Sequence, residues 1–398
     1  MKASTQQVIK TYERYVMNTY VRKPMVITKG KGSRVWDVEG HEYLDLFPGW
    51  GVSGLGYNHP WVMTALRGQT SRIIHISNTY YNPYQAKAAK QLVEASFDGK
   101  VFFTNSGAEA VETAVKLAHK WGHTSGCYEI IAMERSFHGR TMAALSATGQ
   151  KKYQEGFEPL VPGFVHVPYN DIEAVKRALT PKTCAILVEP IQGEGGVQVP
   201  AENYLPALRQ LCDQHKLLLI VDEIQTGLGR SGKLFAHQYA GIEPDIMLLA
   251  KTLGGGFPIG AVIARRAVAD LLTPGTHATT YGGSPLGCAA ILAVLEVIKK
   301  EKLPERSVKL GSYIMKRLEK LKSRVPFIRE IRGKGLMIGI ELSIDGRDIV
   351  DACREKYLLI NCTQERVLRL LPAMTVTKDQ LDNGLKILET VLMSYETA

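Results

Sequence analysis

Between residues 100 and 250 the chain alternates short apolar runs with longer stretches of helical periodicity. The runs, at residues 101–103, 130–133, 185–188, 217–221 and 246–250, are too short and too uniformly apolar to leave one face wet. They predict buried parallel strands covered by helices, an α/β architecture. From about residue 290 the pattern changes to long charged amphipathic segments, 302–322 and 378–395, around an apolar strand pair near 335–342 and 367–371. Before the sheet, Arg34-Val35-Trp36-Asp37-Val38-Glu39-Gly40 alternates and then turns like a hairpin. The expected organisation is an N-terminal segment (1–60) packing with a small α+β domain (291–398), and a large domain (61–290) between them. No internal repeat or linker is visible.

Open α/β sheets place ligands beyond the carboxyl ends of their strands, and the polar residues gather there. The five runs are followed by Asn105-Ser106-Gly107-Ala108-Glu109, Ser136-Phe137-His138-Gly139-Arg140, Glu189-Pro190-Ile191-Gln192-Gly193-Glu194, Asp222-Glu223-Ile224-Gln225, and Lys251 with three glycines close behind. One edge of one sheet would carry them all.

Each group has a structural and a chemical reading. Ser106 and Glu109 have the spacing of a capping box ahead of a helix whose apolar positions are Val111, Ala114, Val115 and Ala118. The unspent N–H groups at such a helix start, with Gly107 permitting close approach, also make a phosphate cradle. Asp222 ends the most hydrophobic run, where an unpaired carboxylate costs several kcal/mol, so a cation must face it. That cation is an Arg or Lys, or the protonated ring nitrogen of a cofactor. Lys251 follows an apolar strand; desolvation there favours a neutral amine able to attack a carbonyl, while a snorkelling surface lysine is the alternative. Arg140 and Arg369 offer bidentate forks for a ligand carboxylate or for internal ion pairs. His138 reads as a hydrogen-bonded wall of the site. Gly227-Leu228-Gly229-Arg230-Ser231-Gly232 fits a dinucleotide-binding fingerprint only superficially, because it neither follows its strand directly nor starts a capped helix.

Composition narrows the classes. The 398 residues are 45% hydrophobic and 22% charged, which excludes a disordered or low-complexity chain. The net charge of +10 is spread without a run of like charges, so a solvated surface or small anionic ligands are expected ahead of nucleic acid. Six cysteines without a CxxC pair give no disulfide framework and no metal site, and fit a reducing compartment. The start lacks an apolar signal segment, no run approaches 18 apolar residues, and Glu396-Thr397-Ala398 is no retention signal. A cytoplasmic location with no membrane or nucleic-acid partner is expected.

Taken together, Asn18-Thr19-Tyr20, Gly56-Tyr57-Asn58-His59-Pro60, the block from Asp222 to Ala261 and Leu371-Pro372-Ala373-Met374-Thr375-Val376 resemble the class III, or ω-amino, aminotransferases along nearly the full length. The resemblance implies a fold-type-I transferase using pyridoxal 5'-phosphate, with a mostly parallel seven-stranded sheet and a small α+β domain drawn from both chain ends. It implies that Lys251 holds the cofactor and Asp222 pairs with its ring nitrogen, that Ser106, Gly107 and Ala108 take the phosphate, that Phe137 and Ile224 cover the ring faces, and that Gln225 reaches the ring hydroxyl. Thr280 would reach the phosphate of a neighbouring subunit, making a homodimer with shared sites, and Thr279 would lie near substrate. Arg140 and Arg369 would take substrate carboxylates, with Glu194 pairing to Arg369 when no α-carboxylate is present. The implied substrates are an amine donor and a 2-oxo acid: the terminal amine of N2-acetyl-L-ornithine passing to 2-oxoglutarate, with ornithine, 4-aminobutyrate, N-acetyl-lysine and succinylornithine as alternative donors. Trp50, in Pro48-Gly49-Trp50-Gly51-Val52, departs from the small aliphatic residue usual near the substrate entrance for the acetylated donor.

Overall fold

A computed structural model describes residues 4–395, so Glu396, Thr397 and Ala398 lie outside the described residues. Three sheets organise the chain. The first strands are β1 (Ile27–Lys31), β2 (Arg34–Asp37) and β3 (Glu42–Asp45); next come β4 (Lys100–Thr104), β5 (Glu129–Met133), β6 (Phe164–Val167), β7 (Thr183–Val188), β8 (Leu218–Asp222), β9 (Ile246–Leu249) and β10 (Gly260–Ala264). The C-terminal part adds β11 (Ile328–Lys334), β12 (Met337–Leu342), β13 (Leu358–Leu359), β14 (Asn361–Thr363) and β15 (Val367–Leu370).

The central sheet has seven strands in the order β4-β10-β9-β8-β7-β5-β6. Strands β5 to β9 pair in parallel, whereas β10 runs antiparallel to both neighbours. Two corrections follow. The run at 101–103 is an edge strand whose partner, β10, is antiparallel. Strand β6, between Pro162 and Pro168, is a further member whose apolar run is broken by His166. All five strands read from the sequence nevertheless point the same way, because β10 reverses direction twice.

Every residue of β7 and β8 is buried, as two covered faces require. Alternation sorts them. Leu218 and Ile220 pack with Ala110, Val111, Ala114 and Ala118 of the helix Gly107–Gly122. Leu219 and Val221 pack with Leu205, Leu208 and Leu211 of the helix Tyr204–His215 on the opposite side. Burial of each leucine, isoleucine or valine among them contributes about 1.5–3 kcal/mol. The same parity puts Asp222 on the face of the helix Gly107–Gly122, whose N-terminus opens at that edge.

The sheet β1-β2-β3-β13 joins residues 27–45 to 358–359, and β11-β12-β15-β14 forms the third. Loops from both close over the carboxyl edge of the central sheet. Among the described residues, no helix is long and apolar enough to cross a membrane.

Candidate active site

At that edge lies a cavity of about 470 Å³ lined by residues from all five expected loops. It brings together Ser106, Gly107, Ala108, Phe137, Arg140, Glu194, Asp222, Ile224, Gln225 and Lys251. Trp50, Thr279, Thr280 and Arg369 are not on its wall. Arg369 reaches it through Glu194, and Trp50 stands at the rim, its carbonyl accepting from Gln225 Nε2 at 3.2 Å. Thr279 Oγ1 accepts from the lining residue Asn105 at 3.3 Å, whereas Thr280 is exposed.

The helix start is built as expected on one side only. Ser106 Oγ accepts from Glu109 N at 3.2 Å, but the Glu109 carboxylate reaches one residue further back, to Asn105 N at 2.8 Å. Half of the capping box is therefore replaced by a clamp on Asn105. Gly107 lies so close to Ile224 that a Cβ would meet its Cδ1 at 2.8 Å.

Within the protein, the residue facing Asp222 is neither Arg nor Lys but a histidine. His138 Nδ1 donates to Asp222 Oδ2 at 2.8 Å, with both side chains buried, and Ile224 N donates to Oδ1 at 3.0 Å. A carboxylate only accepts, so Nδ1 carries the proton, while Nε2 is buried without a protein partner. The wall histidine is thus the direct support of Asp222.

Glu189 went unassigned, although it carries the signal that marked Asp222: a carboxylate ending an apolar strand. It is buried, and its two oxygens accept from Phe137 N and Gly193 N, each at 3.0 Å. It therefore ties the loop of Phe137 to the loop of Glu194. Burial pushes its pKa up to about 7, opposed chiefly by nearby His138.

Lys251 follows β9 with φ +47°. Left-handed backbone costs a side-chain-bearing residue roughly 1–2 kcal/mol, and here it re-aims the chain out of strand alternation towards the cavity. Next to it, Thr252 Oγ1 donates to Gly51 O at 3.0 Å, and Gly54 packs where a Cβ would meet that hydroxyl oxygen at 2.4 Å. Desolvation lowers the Lys251 pKa, against the opposing charges of Glu194 and Asp222.

Arg369 is buried, and its Nη1 donates to Glu194 Oε1 at 2.7 Å. Its guanidinium also lies 4.8 Å from the Phe47 ring centre. Arg140 is exposed, stacked 3.9 Å over Tyr153, and no carboxylate of the described residues pairs with it.

A sheet edge carrying a helix N-terminus, a buried carboxylate, a desolvated lysine and a paired buried arginine defines a class of enzyme. Residues 15–392 match the class-III aminotransferase family, and the chain belongs to it. It is 49% identical over 388 residues to the acetylornithine aminotransferase of Methanothermobacter thermautotrophicus, covering 98% of this chain and 99% of that one. Among solved structures, it resembles an ornithine aminotransferase from Toxoplasma gondii with pyridoxal phosphate at partial occupancy in its active site (TM-score 0.96, 37% identity, 99% and 95% coverage). It also resembles the acetylornithine aminotransferase of Elizabethkingia anophelis (TM-score 0.88, 35% identity, 99% and 100% coverage). The chain is an aminotransferase, and its cofactor is pyridoxal phosphate.

The cavity fits that group. The helix N-terminus suits a phosphate, the Asp222 carboxylate a protonated ring nitrogen, and the buried, unpartnered Oε1 of Gln225 a hydroxyl donor.

Proposed function

We propose that this chain transfers the terminal amino group of N2-acetyl-L-ornithine to 2-oxoglutarate, giving N-acetyl-L-glutamate 5-semialdehyde and L-glutamate. The observation carrying the reading is the ion pair, at 2.7 Å, of buried Arg369 with partly exposed Glu194. Such an enzyme must accept one substrate with a carboxylate on the reacting carbon and one without it. An arginine whose counter-ion is an internal, exchangeable carboxylate meets that demand.

Pyridoxal phosphate supplies a carbonyl for the amine and a ring that withdraws electrons from the reacting carbon. Ser106, Gly107 and Ala108 hold its phosphate, Phe137 and Ile224 flank the ring, and Gln225 binds the hydroxyl. Asp222, steadied by His138, keeps the ring nitrogen protonated. Lys251 Nζ would hold the cofactor and, as a free amine, would hold the proton in transit at the reacting carbon. Its lowered pKa leaves more of the neutral amine for that task. Arg140 takes the distal carboxylate of acetylornithine or the γ-carboxylate of 2-oxoglutarate. Arg369 takes the α-carboxylate once Glu194 turns away. Thr279 and Trp50 border the substrate.

Thr280 would complete the phosphate site of a second copy of the chain. Supporting a homodimer, Ile73, Ile74, Tyr80, Tyr81 and Tyr281 are exposed, and Asn78 donates to the carbonyls of Thr279 and Gly282 within the same region. All six cysteines are free, which fits the cytoplasm.

Kinetics with a panel of amine donors and 2-oxoglutarate test the substrate. Acetylornithine is expected to give the highest kcat/KM; 4-aminobutyrate ranking above it overturns the assignment. Ornithine is the second reading, favoured by the likeness to the Toxoplasma enzyme.

A further inference from the structure

Arg369 has a second partner that is not charged. Its Nε and Nη2 both donate to Asn361 Oδ1, at 2.9 and 2.7 Å. The two residues face each other across the antiparallel pair β14–β15. The fork is therefore held along one edge by a neutral acceptor, against the Phe47 ring on its face, and by Glu194 through Nη1 alone. Of the ion pair, Arg369 is 1% exposed and Glu194 16%, so the carboxylate is the member with room to move.

The hairpin also fixes the backbone of Glu194. Thr363 Oγ1 and Gln364 Nε2 each donate to Glu194 O at 2.9 Å, and Arg332 donates to the carbonyls of Gly196 and Val197. Any exchange is confined to the Glu194 side chain, and the guanidinium stays where Asn361 holds it.

We propose that Asn361 is the positioning residue of the carboxylate exchange: it orients the Arg369 fork while leaving its charge to be matched by either Glu194 or a substrate α-carboxylate. A carboxylate at 361 would form a permanent bidentate pair and remove the demand for an anion at Nη1. An apolar residue would release the fork. Neutrality and two-point acceptance are both required, and asparagine supplies both. This inference rests on the two-substrate reading above.

The test uses Asn361→Asp and Asn361→Leu holoenzymes, both near-isosteric with the wild type. Three quantities are measured: binding of the unreactive dicarboxylate glutarate, the half-reaction with L-glutamate alone, and the half-reaction with the ω-amine alone. In Asn361→Asp, the glutarate Kd and the glutamate KM are expected to rise roughly 10- to 100-fold, the range for losing a charge-assisted contact, with the ω-amine half-reaction within about threefold of wild type. In Asn361→Leu, glutarate binding is expected to weaken roughly tenfold or more. Glutarate affinity within about twofold of wild type in Asn361→Asp, or equal losses in both half-reactions, overturns the proposal. Should the leucine variant not fold, the aspartate variant decides alone. A wild-type enzyme that does not convert glutamate overturns the two-substrate reading itself, whereas glutamate conversion indifferent to Asn361 overturns only this inference.

Discussion

At Gly193 a missing methyl group decides where Gln225 sits. A Cβ there would lie 2.0 Å from Gln225 Oε1, and the Gly193 backbone is not in the left-handed region, so alanine would conflict with that amide alone. Gly193→Ala should push Gln225 away from the cofactor hydroxyl and weaken pyridoxal phosphate binding by roughly tenfold, about the worth of one hydrogen bond. Equilibrium dialysis of the cofactor checks this, and unchanged unfolding of the cofactor-free protein separates it from a general loss of stability. Unaltered affinity would mean that Gln225 does not contact the cofactor. Histidine works through the same economy of contacts. His138 lies 84 residues from Asp222 in sequence, so no local spacing could have paired them.

At the scale of elements, the helix Gly107–Gly122 packs against the sheet and, in the proposed reading, also binds the phosphate, and the two roles are separable. Ser106→Ala removes the bond to Glu109 N and should cost about 1 kcal/mol of stability. Ser106→Asp keeps a capping oxygen and suits the helix dipole, yet sets a negative charge beside the phosphate site. Without cofactor, the aspartate variant is therefore expected to unfold like wild type in urea, while it retains far less pyridoxal phosphate. Equal retention by both variants would refute the phosphate role. The buried strands β5, β7, β8 and β9 were legible because unbroken apolar runs have few other uses, and the polar residues after them were legible for the same reason. The antiparallel insertion of β10 was not, since Gly260–Ala264 is locally like its parallel neighbours and only long-range pairing sets its direction. Asn361 was equally hidden. An ordinary asparagine acquires its meaning from the residue opposite it on β15.

For the whole molecule, Asp45 marks where the two ends of the chain meet. It closes β3, which pairs in parallel with β13, and Leu46 N donates to Leu359 O at 3.0 Å. Its buried carboxylate accepts from Phe47 N at 2.7 Å and from the Tyr57 hydroxyl at 2.7 Å, setting the loop that leads to Trp50. Desolvation outweighs both bonds and raises its pKa from 3.8 to about 6. A carboxyl whose pKa is higher folded than unfolded favours the native state while protonated. That contribution is complete below pH 3.8 and is lost as pH climbs through 6. Asparagine can preserve both contacts, its Oδ1 accepting from Phe47 and its amide donating to a reoriented Tyr57 hydroxyl, but it cannot ionise. Asp45→Asn should therefore match wild type in stability near pH 4 and exceed it by up to about 3 kcal/mol at pH 8, the equivalent of a shift of roughly two pK units. Urea unfolding of the two proteins at pH 4, 6 and 8 measures the gap. An offset that stays constant across that range, or an asparagine variant weaker at pH 8, would show that the ionised carboxylate is well accommodated where the chain's ends join.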